Sequence, residues 1–276
     1  MTEAVLDAVI IGGGLVGGLT ALLLAQGGVQ ATVLDAAPVL ERDKVLAQSN
    51  ARVLALSQAS IHLLKTVGVW SQLARYMPYS GMQVWNKNGY GDIMFGQASL
   101  ATPWQEQILG AMVEPSILNL AIQDQMQSLV QDYRTQVKVS RVEQGNSLWL
   151  IHLADGTTLQ TKLVIGADGA NSFVREQAFI DTAILDYKQA GLSCAIRTQQ
   201  PHQHVARQIF LDTGPLAYLP MASLEPRQNG YWQSIVWTLP DDYAEEYAHL
   251  NDAEFCRLLS AQSQYMLGEV LEATPR

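Results

Sequence analysis

Cysteine and charged residues are both scarce in this chain of 276 residues. The two cysteines, Cys194 and Cys256, are far apart and form no CxxC pair, which argues against a disulfide framework and favours neutral thiols in a reducing compartment. Aspartate and glutamate outnumber lysine and arginine by 26 to 17. The resulting net charge of −9 argues against a general nucleic-acid-binding protein, which needs a basic face to neutralise phosphates.

Long apolar runs are also rare, and the one candidate does not have the character of a membrane span. Residues 8–25 carry no charge, but five glycines interrupt them and no lysine or arginine precedes them. A signal peptide needs a positive leader, and a span of this length is at the lower limit. We therefore expect no membrane span, which leaves contact with a membrane surface open.

Metal ligands are sparse too. His202 and His204 are separated by one residue, but the sequence offers no third ligand at a suitable spacing. No Ser-His-Asp arrangement is evident either. The sequence therefore predicts no metal site and assigns no catalytic residue.

The sequence does contain a clear strand–helix–strand pattern at its beginning. Val5–Ile11 is an apolar run of strand length, Leu15–Gln26 has helical character, and Gln30–Leu34 predicts a second strand. About thirty residues is the usual size of a parallel β-α-β crossover. Together with 48% hydrophobic residues, the pattern predicts a globular α/β protein with a sizeable core.

The remaining elements alternate between helices and strands. Periodicity predicts helices over Ile61–Leu73, Ser116–Tyr133 and Glu245–Leu271. A turn at Asn86–Gly89 predicts a β-hairpin within Tyr79–Phe95. Further strands are predicted over Val137–Val142, Ser147–Leu153, Thr158–Ile165, Gly191–Arg197, Gln208–Leu211, Leu216–Pro220 and Tyr231–Leu239.

A glycine loop joins the first predicted strand to the first helix. Gly12, Gly14 and Gly17 fit GxGxxG and enclose Leu15 and Val16. The first glycine makes the turn, the second admits a pyrophosphate, and the third lets helix and sheet pack closely. Asp35 lies 18 positions beyond Gly17, near the spacing of an acid that binds the adenosine ribose. The loop predicts dinucleotide binding and disfavours a 2′-phosphate, but it leaves FAD and NAD, or a glycine turn without a ligand, open.

A second motif favours FAD. Asp168 and Gly169 follow a predicted strand and precede a helix that Asn171 or Ser172 is placed to cap. An aspartate at the end of a strand can accept a hydrogen bond from a ribityl or ribose hydroxyl. As a generic turn, Asp-Gly is common, so the ten-residue string 166–175 is the more specific signal.

Taken together, these motifs resemble the flavoprotein aromatic hydroxylases of the p-hydroxybenzoate hydroxylase fold. Residues 51–57, 214–220 and 234–237 narrow the resemblance to the hydroxylases of ubiquinone biosynthesis, and it extends over about residues 5–255. It implies FAD as cofactor, NAD(P)H as reductant, and hydroxylation of the aromatic ring of a ubiquinone precursor through a flavin hydroperoxide. It further implies that Arg52 approaches the flavin pyrophosphate and that Tyr218, Pro220 and Trp237 line the substrate. The alternatives are that Arg52 is an ordinary surface arginine and that the other three residues are ordinary core residues.

The resemblance also implies the organisation of the chain. We expect a Rossmann-like FAD-binding domain, a parallel sheet with helices and a β-meander, in residues 1–75 and 106–186. A smaller α+β substrate domain on a mainly antiparallel sheet is expected in residues 76–105 and 187–262, followed by the start of a C-terminal part in 263–276. The implied partners are a prenylated phenol or quinol and a quinone-biosynthesis complex or a second copy of the chain. The implied location is the cytoplasm, or peripherally the inner face of the membrane.

One feature of that family is not found in the sequence. A Gly-Asp motif that faces the flavin is expected near the end of the chain, and residues 239–242 and 251–253 lack its glycine. We therefore expect a C-terminally truncated hydroxylase with weak FAD binding and no coupled hydroxylation. A noncatalytic scaffold in a quinone-biosynthesis complex and an NAD-linked oxidoreductase remain alternatives. The sequence leaves open the ring position, the prenyl length and the choice between NADH and NADPH.

Overall fold

A computed structural model describes residues 5–96, 108–228 and 230–276. The chain divides into two compact units. The first unit contains residues 1–45, 63–73 and 116–184, and the second unit contains residues 46–62, 74–115 and 185–276.

The helices and strands of the described residues alternate along the chain. The helices are α1 (Leu15–Gln26), α2 (Arg42–Ala47), α3 (Gln58–Thr66), α4 (Pro115–Leu129), α5 (Phe173–Gln177), α6 (Asp241–Ala248) and α7 (Asp252–Gln262). The strands are β1 (Leu6–Ile11), β2 (Ala31–Leu34), β3 (Leu54–Ser57), β4 (Met77–Tyr79), β5 (Gly81–Asn86), β6 (Asp92–Gly96), β7 (Gly110–Val113), β8 (Asp132–Arg134), β9 (Val139–Gln144), β10 (Trp149–Leu153), β11 (Thr158–Gly166), β12 (Gln189–Thr198), β13 (Val205–Leu211), β14 (Gly214–Pro220), β15 (Trp232–Pro240) and β16 (Val270–Ala273).

The first unit is built on a six-stranded sheet with the order β8-β2-β1-β11-β10-β9. Strand β1 pairs in parallel with β2 and β11, whereas β9, β10 and β11 form an antiparallel meander. Helix α1 packs very closely on α4, because a Cβ at Gly18 would lie 2.4 Å from Cγ2 of Ile122. Because β1, β2 and β11 are parallel, their carboxyl ends lie at one edge of the sheet, which is where α/β proteins bind ligands.

The second unit contains a seven-stranded sheet with the order β16-β12-β15-β14-β13-β5-β6. Only the β13–β5 pair is parallel among its described strands. A core cluster of this unit joins sheet residues such as Tyr218 and Trp237 to Phe255 and Leu259 of α7. A separate three-stranded sheet, β3-β7-β4, contributes to another cluster that contains Val53, Met77 and Met112.

The structure confirms the predicted α/β architecture and most of its elements. Helix α1 has the predicted bounds, and the 81–96 hairpin is present. The helix predicted over Ser116–Tyr133 ends at Leu129, because the chain turns there and adds β8 to the sheet edge. The helix predicted over Ile61–Leu73 is wrong at its end, since Gly68 with a φ of +77° interrupts it.

The prediction of one helix over Glu245–Leu271 is wrong. Helices α6 and α7 occupy part of this range, and the Asn251 side chain caps α7 by accepting a hydrogen bond from the Glu254 amide. The end of the range forms β16, which pairs with β12. Apolar residues at helical spacing continue through both α7 and β16, so periodicity alone did not separate them.

The compact units and the predicted domains divide the chain differently, chiefly at residues 46–62, 108–115 and 263–276. Residues 46–62 and 108–115 belong to the second unit, because β3 and β4 both pair with β7. Residues 263–276 also belong to it, since β16 extends its large sheet. No strand was predicted at β3, β4 or β7, whose pairing places residues 46–62 and 108–115 in the second unit.

Two further sequence features have a clear structural setting. Both cysteines are buried and unpaired, and burial raises the pKa of Cys194 to about 12. The apolar run at residues 8–25 is divided between β1, the glycine loop and α1. In the residues that the structure describes, no helix has both the length and the apolar character needed to cross a membrane.

Candidate functional site

The glycine loop of the first unit is shaped by close backbone contacts. Gly12 has a φ of +103°, and a Cβ there would lie 2.3 Å from the carbonyl oxygen of Ala167. A Cβ at Gly17 would lie 1.9 Å from the carbonyl oxygen of Gly12. Both positions therefore require glycine, the first for its conformation and both for their lack of a side chain.

Gly14 is different, because the space beside it is open. An added Cβ would meet no atom of the described residues within 4 Å. Gly14 is also the N-cap of α1. Because glycine has no side chain that can accept a hydrogen bond, the first amides of the helix, at Leu15 and Val16, have no side-chain cap. The free amides and the positive end of the helix dipole make this position suited to an anion such as a pyrophosphate.

Asp35 lies beside the glycine loop at the end of β2. Its Oδ2 accepts a hydrogen bond of 3.0 Å from the Gly13 amide, and its Oδ1 accepts one of 2.8 Å from the Ala37 amide. These two backbone donors fix the carboxylate at the edge of the sheet. The acid predicted to bind a ribose is therefore in place next to the predicted pyrophosphate position.

Tyr133 is a neighbour of this acid that the sequence analysis missed. A Cβ at Gly13 would lie 3.2 Å from Cε2 of Tyr133 and 2.6 Å from Oδ2 of Asp35, so both side chains border the loop. Burial raises the pKa of Tyr133, and the charge of Asp35 raises it further. Tyr133 was not predicted as a site residue because it was assigned to the end of a helix, whereas it lies in β8 and pairs with β2.

Asp168 and Gly169 form a turn that meets the glycine loop. The Ala167 amide donates to the carbonyl of Ile11 over 2.8 Å, which ties the end of β11 to the end of β1. Gly169 has a φ of +95°. The two motifs predicted to hold one ligand are therefore brought together in the first unit.

The Asp168 carboxylate also has a structural role. It accepts hydrogen bonds from the Ser172 hydroxyl at 2.5 Å and from the Val174 amide at 3.1 Å. Burial alone would raise the pKa of Asp168, but these hydrogen bonds lower it overall. The Ser172 hydroxyl oxygen accepts a hydrogen bond from the Arg175 amide and so caps α5, which is the capping role predicted for Ser172. The lowered pKa keeps Asp168 ionised beside the glycine loop.

Arg52 belongs to the second unit and is exposed. Its amide donates to Oδ1 of Asn50 over 3.0 Å. Its guanidinium makes no hydrogen bond or ion pair within the described ranges 5–96, 108–228 and 230–276. A cation without an internal partner remains available for an anionic ligand.

The second unit also contains an open cavity of about 380 Å³ that the sequence analysis did not find. Its lining is mainly apolar and comes from separate parts of the chain: Ser49, Ala51, Ala195, Met221, Ala222, Leu224, Trp232 and Pro275. At its rim the Trp232 indole donates to Gln228, whose amide group donates to Glu225 over 2.6 Å. Small residues from five segments create the cavity, and no local pattern marks them.

The predicted substrate-lining residues lie elsewhere in the second unit. Tyr218 is 1% exposed and Trp237 is fully buried, and both pack in the core with α7. Pro220 is buried on the same strand as Tyr218. These three side chains are therefore buried in the second unit, as the alternative to a substrate contact predicted. A substrate contact for them stays a prediction.

Of the histidine pair, only His202 is buried, whereas His204 is exposed. His202 is fully buried, and its Nδ1 accepts a hydrogen bond of 3.0 Å from the His204 amide. Burial lowers the pKa of His202 to about 4, with smaller contributions from His204 and Arg207. Within the described residues, no group of three or more His, Cys, Asp and Glu side chains is arranged to hold a metal.

Residues 5–255 match the protein family described as the FAD binding domain. The chain belongs to this FAD-binding family. The match covers the glycine loop, Asp35, Arg52 and the Asp168 turn, and it decides between the two dinucleotides that the glycine loop alone left open.

Relatives of this FAD-binding chain include several ubiquinone hydroxylases. It is 32% identical over 268 residues to the ubiquinone biosynthesis monooxygenase COQ6 of Danio rerio, covering 90% of this chain and 52% of that protein. It is 33% identical to the 3-demethoxyubiquinol 3-hydroxylase of Escherichia coli K12, covering 86% and 58%, and 30% identical to the ubiquinone hydroxylase UbiL of Rhodospirillum rubrum, covering 99% and 61%. The chain thus spans between half and two thirds of the length of these curated relatives.

Solved structures share the fold of this FAD-binding chain at lower identity. The Pseudomonas aeruginosa protein PqsL, solved in complex with 2-aminobenzoylacetate, aligns with a TM-score of 0.71 at 18% identity, covering 99% of this chain and 73% of that one. The p-nitrophenol 4-monooxygenase PnpA of Pseudomonas putida aligns with a TM-score of 0.69 at 18% identity, covering 97% and 64%. These alignments confirm the predicted fold of the FAD-dependent monooxygenases.

Proposed function

We propose that this chain carries the FAD-binding and substrate-binding part of a hydroxylase that acts on the aromatic ring of a ubiquinone precursor. The observation that carries the proposal is the open approach at Gly14 to the free amides of α1, beside the fixed carboxylate of Asp35. The similarity to three ubiquinone hydroxylases supports the substrate class.

The residues of the first unit fit a dinucleotide. The start of α1 binds the pyrophosphate through the amides of Leu15 and Val16, because these have no partner inside the helix. Asp35 accepts a hydrogen bond from the adenosine ribose, and Asp168 accepts one from the ribityl chain. Arg52 supplies a positive charge to the phosphates. When bound, FAD supplies the oxygen chemistry, and NAD(P)H is the proposed reductant.

The cavity of the second unit suits an apolar aromatic ring. Its volume of about 380 Å³ is within the usual range of small-molecule sites. Its lining is more apolar than polar, with Trp232 as an aromatic wall, and its polar residues are Ser49, Ser223, Glu225, Gln228 and Thr274. The apolar part of this lining would reduce the contact of a bound ring with water, which favours oxygen transfer over competing reactions. A prenylated phenol or quinol matches both the apolar lining and the relatives' substrates.

Titration with FAD tests the cofactor assignment, with NAD and ADP as competitors. We expect saturable FAD binding that weakens at least about tenfold in Gly14→Ala, since the added methyl group lies where the pyrophosphate approaches. Gly91→Ala is the matched control, because its Cβ also meets no described atom within 4 Å and it lies in the hairpin of the second unit. Equal affinity for FAD in both variants, or tighter binding of NAD than of FAD, would refute the assignment.

The same preparation tests the cavity with a short-chain prenylphenol. Ala222→Phe fills the cavity, so we expect it to abolish phenol binding while FAD binding is kept. Ala190→Phe, at the exposed start of β12, is the control and should bind the phenol normally. Unchanged phenol binding in Ala222→Phe would place the substrate elsewhere.

Further parts of the proposal concern partners and location. We place the protein in the cytoplasm or peripherally on the inner face of the membrane, alone, as a homo-oligomer or within a quinone-biosynthesis complex. Phe179, Ile184, Leu185 and Tyr187 support a surface contact, because each is more than 70% exposed. Sedimentation with lipid vesicles and size-exclusion chromatography distinguish these arrangements.

A further inference from the structure

The segment between α2 and β3, residues 48–53, has neither helix nor strand geometry. Its backbone amides and carbonyls therefore need partners other than a helix or a sheet. Two of its residues, Ser49 and Ala51, line the cavity of the second unit, and Arg52 follows them with a guanidinium that has no partner among the described residues. The shape of this segment thus sets one wall of the cavity and the position of a cation.

One buried ion pair supplies partners to this segment. Arg75 and Glu114 form two parallel hydrogen bonds, Nε to Oε1 at 2.6 Å and Nη2 to Oε2 at 3.1 Å. The Arg75 side chain is 14% exposed and the Glu114 side chain 4%. Arg75 precedes β4 and Glu114 follows β7, so the pairing of these two strands brings them together.

The remaining hydrogens of the Arg75 guanidinium and a second lone pair of Glu114 Oε2 bind the backbone at alternate residues. These residues begin with Leu46 in the last turn of α2 and continue into the segment, so the stretch that is held is residues 46–52. Arg75 Nη1 donates to the carbonyl of Leu46 over 3.1 Å, and Nη2 donates to the carbonyl of Gln48. Glu114 Oε2 accepts a hydrogen bond of 2.6 Å from the Asn50 amide. Residues 46, 48 and 50 are thereby tied to the pair by their backbones, while residues 49 and 51 line the cavity.

Stability alone does not explain such a pair. Apolar residues of similar volume usually replace a buried ion pair without loss of stability, because desolvation of the two charges offsets their attraction. Apolar side chains cannot, however, hold three backbone groups of an irregular segment at once. The bidentate geometry of arginine and carboxylate is also directional, which suits a role in fixing a backbone position.

We infer that Arg75 and Glu114 are positioning residues, which hold residues 46–52 so that Ser49 and Ala51 form the cavity wall and Arg52 is presented to an anionic ligand. The pair acts through the segment and touches neither ligand. The inference rests on the proposed function for the identity of these ligands, but the positioning itself is a property of the chain without them.

Hydrogen exchange of the unliganded chain tests the positioning directly. In the double variant Arg75→Met/Glu114→Leu, we expect a melting temperature close to that of the unaltered chain and exchange of the Asn50 amide that is faster by at least about tenfold. Glu114→Gln, which retains a carbonyl acceptor, should show a smaller increase. If the double variant does not fold, Glu114→Gln alone provides the test. Unchanged exchange in residues 46–52 in whichever of these variants folds would overturn the inference.

A second ion pair of the same unit provides the control. Arg197 and Glu272 pair at 2.9 Å between β12 and β16, and Arg197→Met/Glu272→Leu should leave exchange in residues 46–52 unchanged. Binding of FAD and of the prenylphenol is then measured in all variants. We expect about tenfold weaker binding of both only where the Arg75–Glu114 pair is altered. If the unaltered chain binds neither probe, the proposed function fails, while the exchange data still decide the positioning.

Discussion

The two loops that form candidate ligand sites are held in opposite ways. In the first unit, the glycine loop is shaped by backbone atoms, because a Cβ at Gly12 or Gly17 would collide with the carbonyl oxygen of Ala167 or of Gly12 respectively. In the second unit, residues 46–52 are shaped by side chains from distant positions, Arg75 and Glu114. The positions that must be glycine lie within a few consecutive residues, whereas Arg75 and Glu114 are far apart in the sequence and meet only once β4 and β7 have paired.

This difference separates what can be inferred locally from what needs tertiary structure. A glycine that cannot be replaced leaves a mark on the sequence, because no other residue serves. A buried ion pair leaves no such mark, since arginine and glutamate are common on surfaces as well. Substitutions in each unit can break or sharpen this comparison, beginning with the core that lies under the sheet of the second unit.

Trp237→Ala is expected to have the largest effect on stability. Trp237 is fully buried and packs against Tyr247 with ring centroids 5.2 Å apart, so its removal leaves a large cavity in the second unit. We expect a loss of about 4 kcal/mol in the free energy of unfolding. Urea unfolding followed by circular dichroism measures it, since the substitution itself alters tryptophan fluorescence.

Trp237→Phe is the matched control for this core position. The Trp237 Nε1 has no hydrogen-bond partner in the part of the chain that the structure describes, so little polar contact is lost. We expect a cost of about 1 kcal/mol and unchanged prenylphenol binding. Weaker phenol binding at nearly unchanged stability would instead support the predicted substrate contact of Trp237.

Gly17→Ala is expected to cost about 3 kcal/mol, because its Cβ would lie 1.9 Å from a backbone oxygen that cannot move aside without opening the turn. Gly14→Ala should cost less than about 1 kcal/mol, since its Cβ meets open space and only the N-cap preference changes. Thermal unfolding of the two variants measures the contrast. Equal losses would show that the glycine loop is not shaped by the Gly12–Gly17 contact.

The sequence predicted those parts of the molecule whose causes are local. The bounds of α1 and the hairpin at 81–96 follow from turn chemistry and residue pattern. Tyr133 was missed because a strand of three residues has too little periodicity to compete with the helix before it. The cavity was missed because Ala51, Ala195 and Met221 become neighbours only through packing of separate segments.

An effect smaller than those of Trp237→Ala and Gly17→Ala depends on pH and concerns the buried histidine of the second unit. His202 has a folded pKa of about 4, below its ordinary value of 6.5, because burial and the nearby His204 and Arg207 disfavour its charged form. The unfolded chain therefore binds more protons between these values. The stability linked to His202 is full above pH 6.5 and is lost as the pH falls towards 4.

Between pH 7 and pH 5 this linkage amounts to about 2 kcal/mol. His202→Asn removes the titration while leaving an oxygen that can accept the hydrogen bond from the His204 amide. The variant is expected to be less stable at pH 7, because it loses buried volume, but its stability should change less between pH 7 and pH 5. His204→Gln, at an exposed neighbouring position, should keep most of the dependence, because burial is the largest cause of the lowered pKa of His202. Urea unfolding at several pH values decides the matter, since parallel curves for the unaltered chain and His202→Asn would show that acid sensitivity arises elsewhere. A steeper curve for the unaltered chain would show that the second unit, whose site is assembled from distant side chains, also depends on a buried group that no local motif marks.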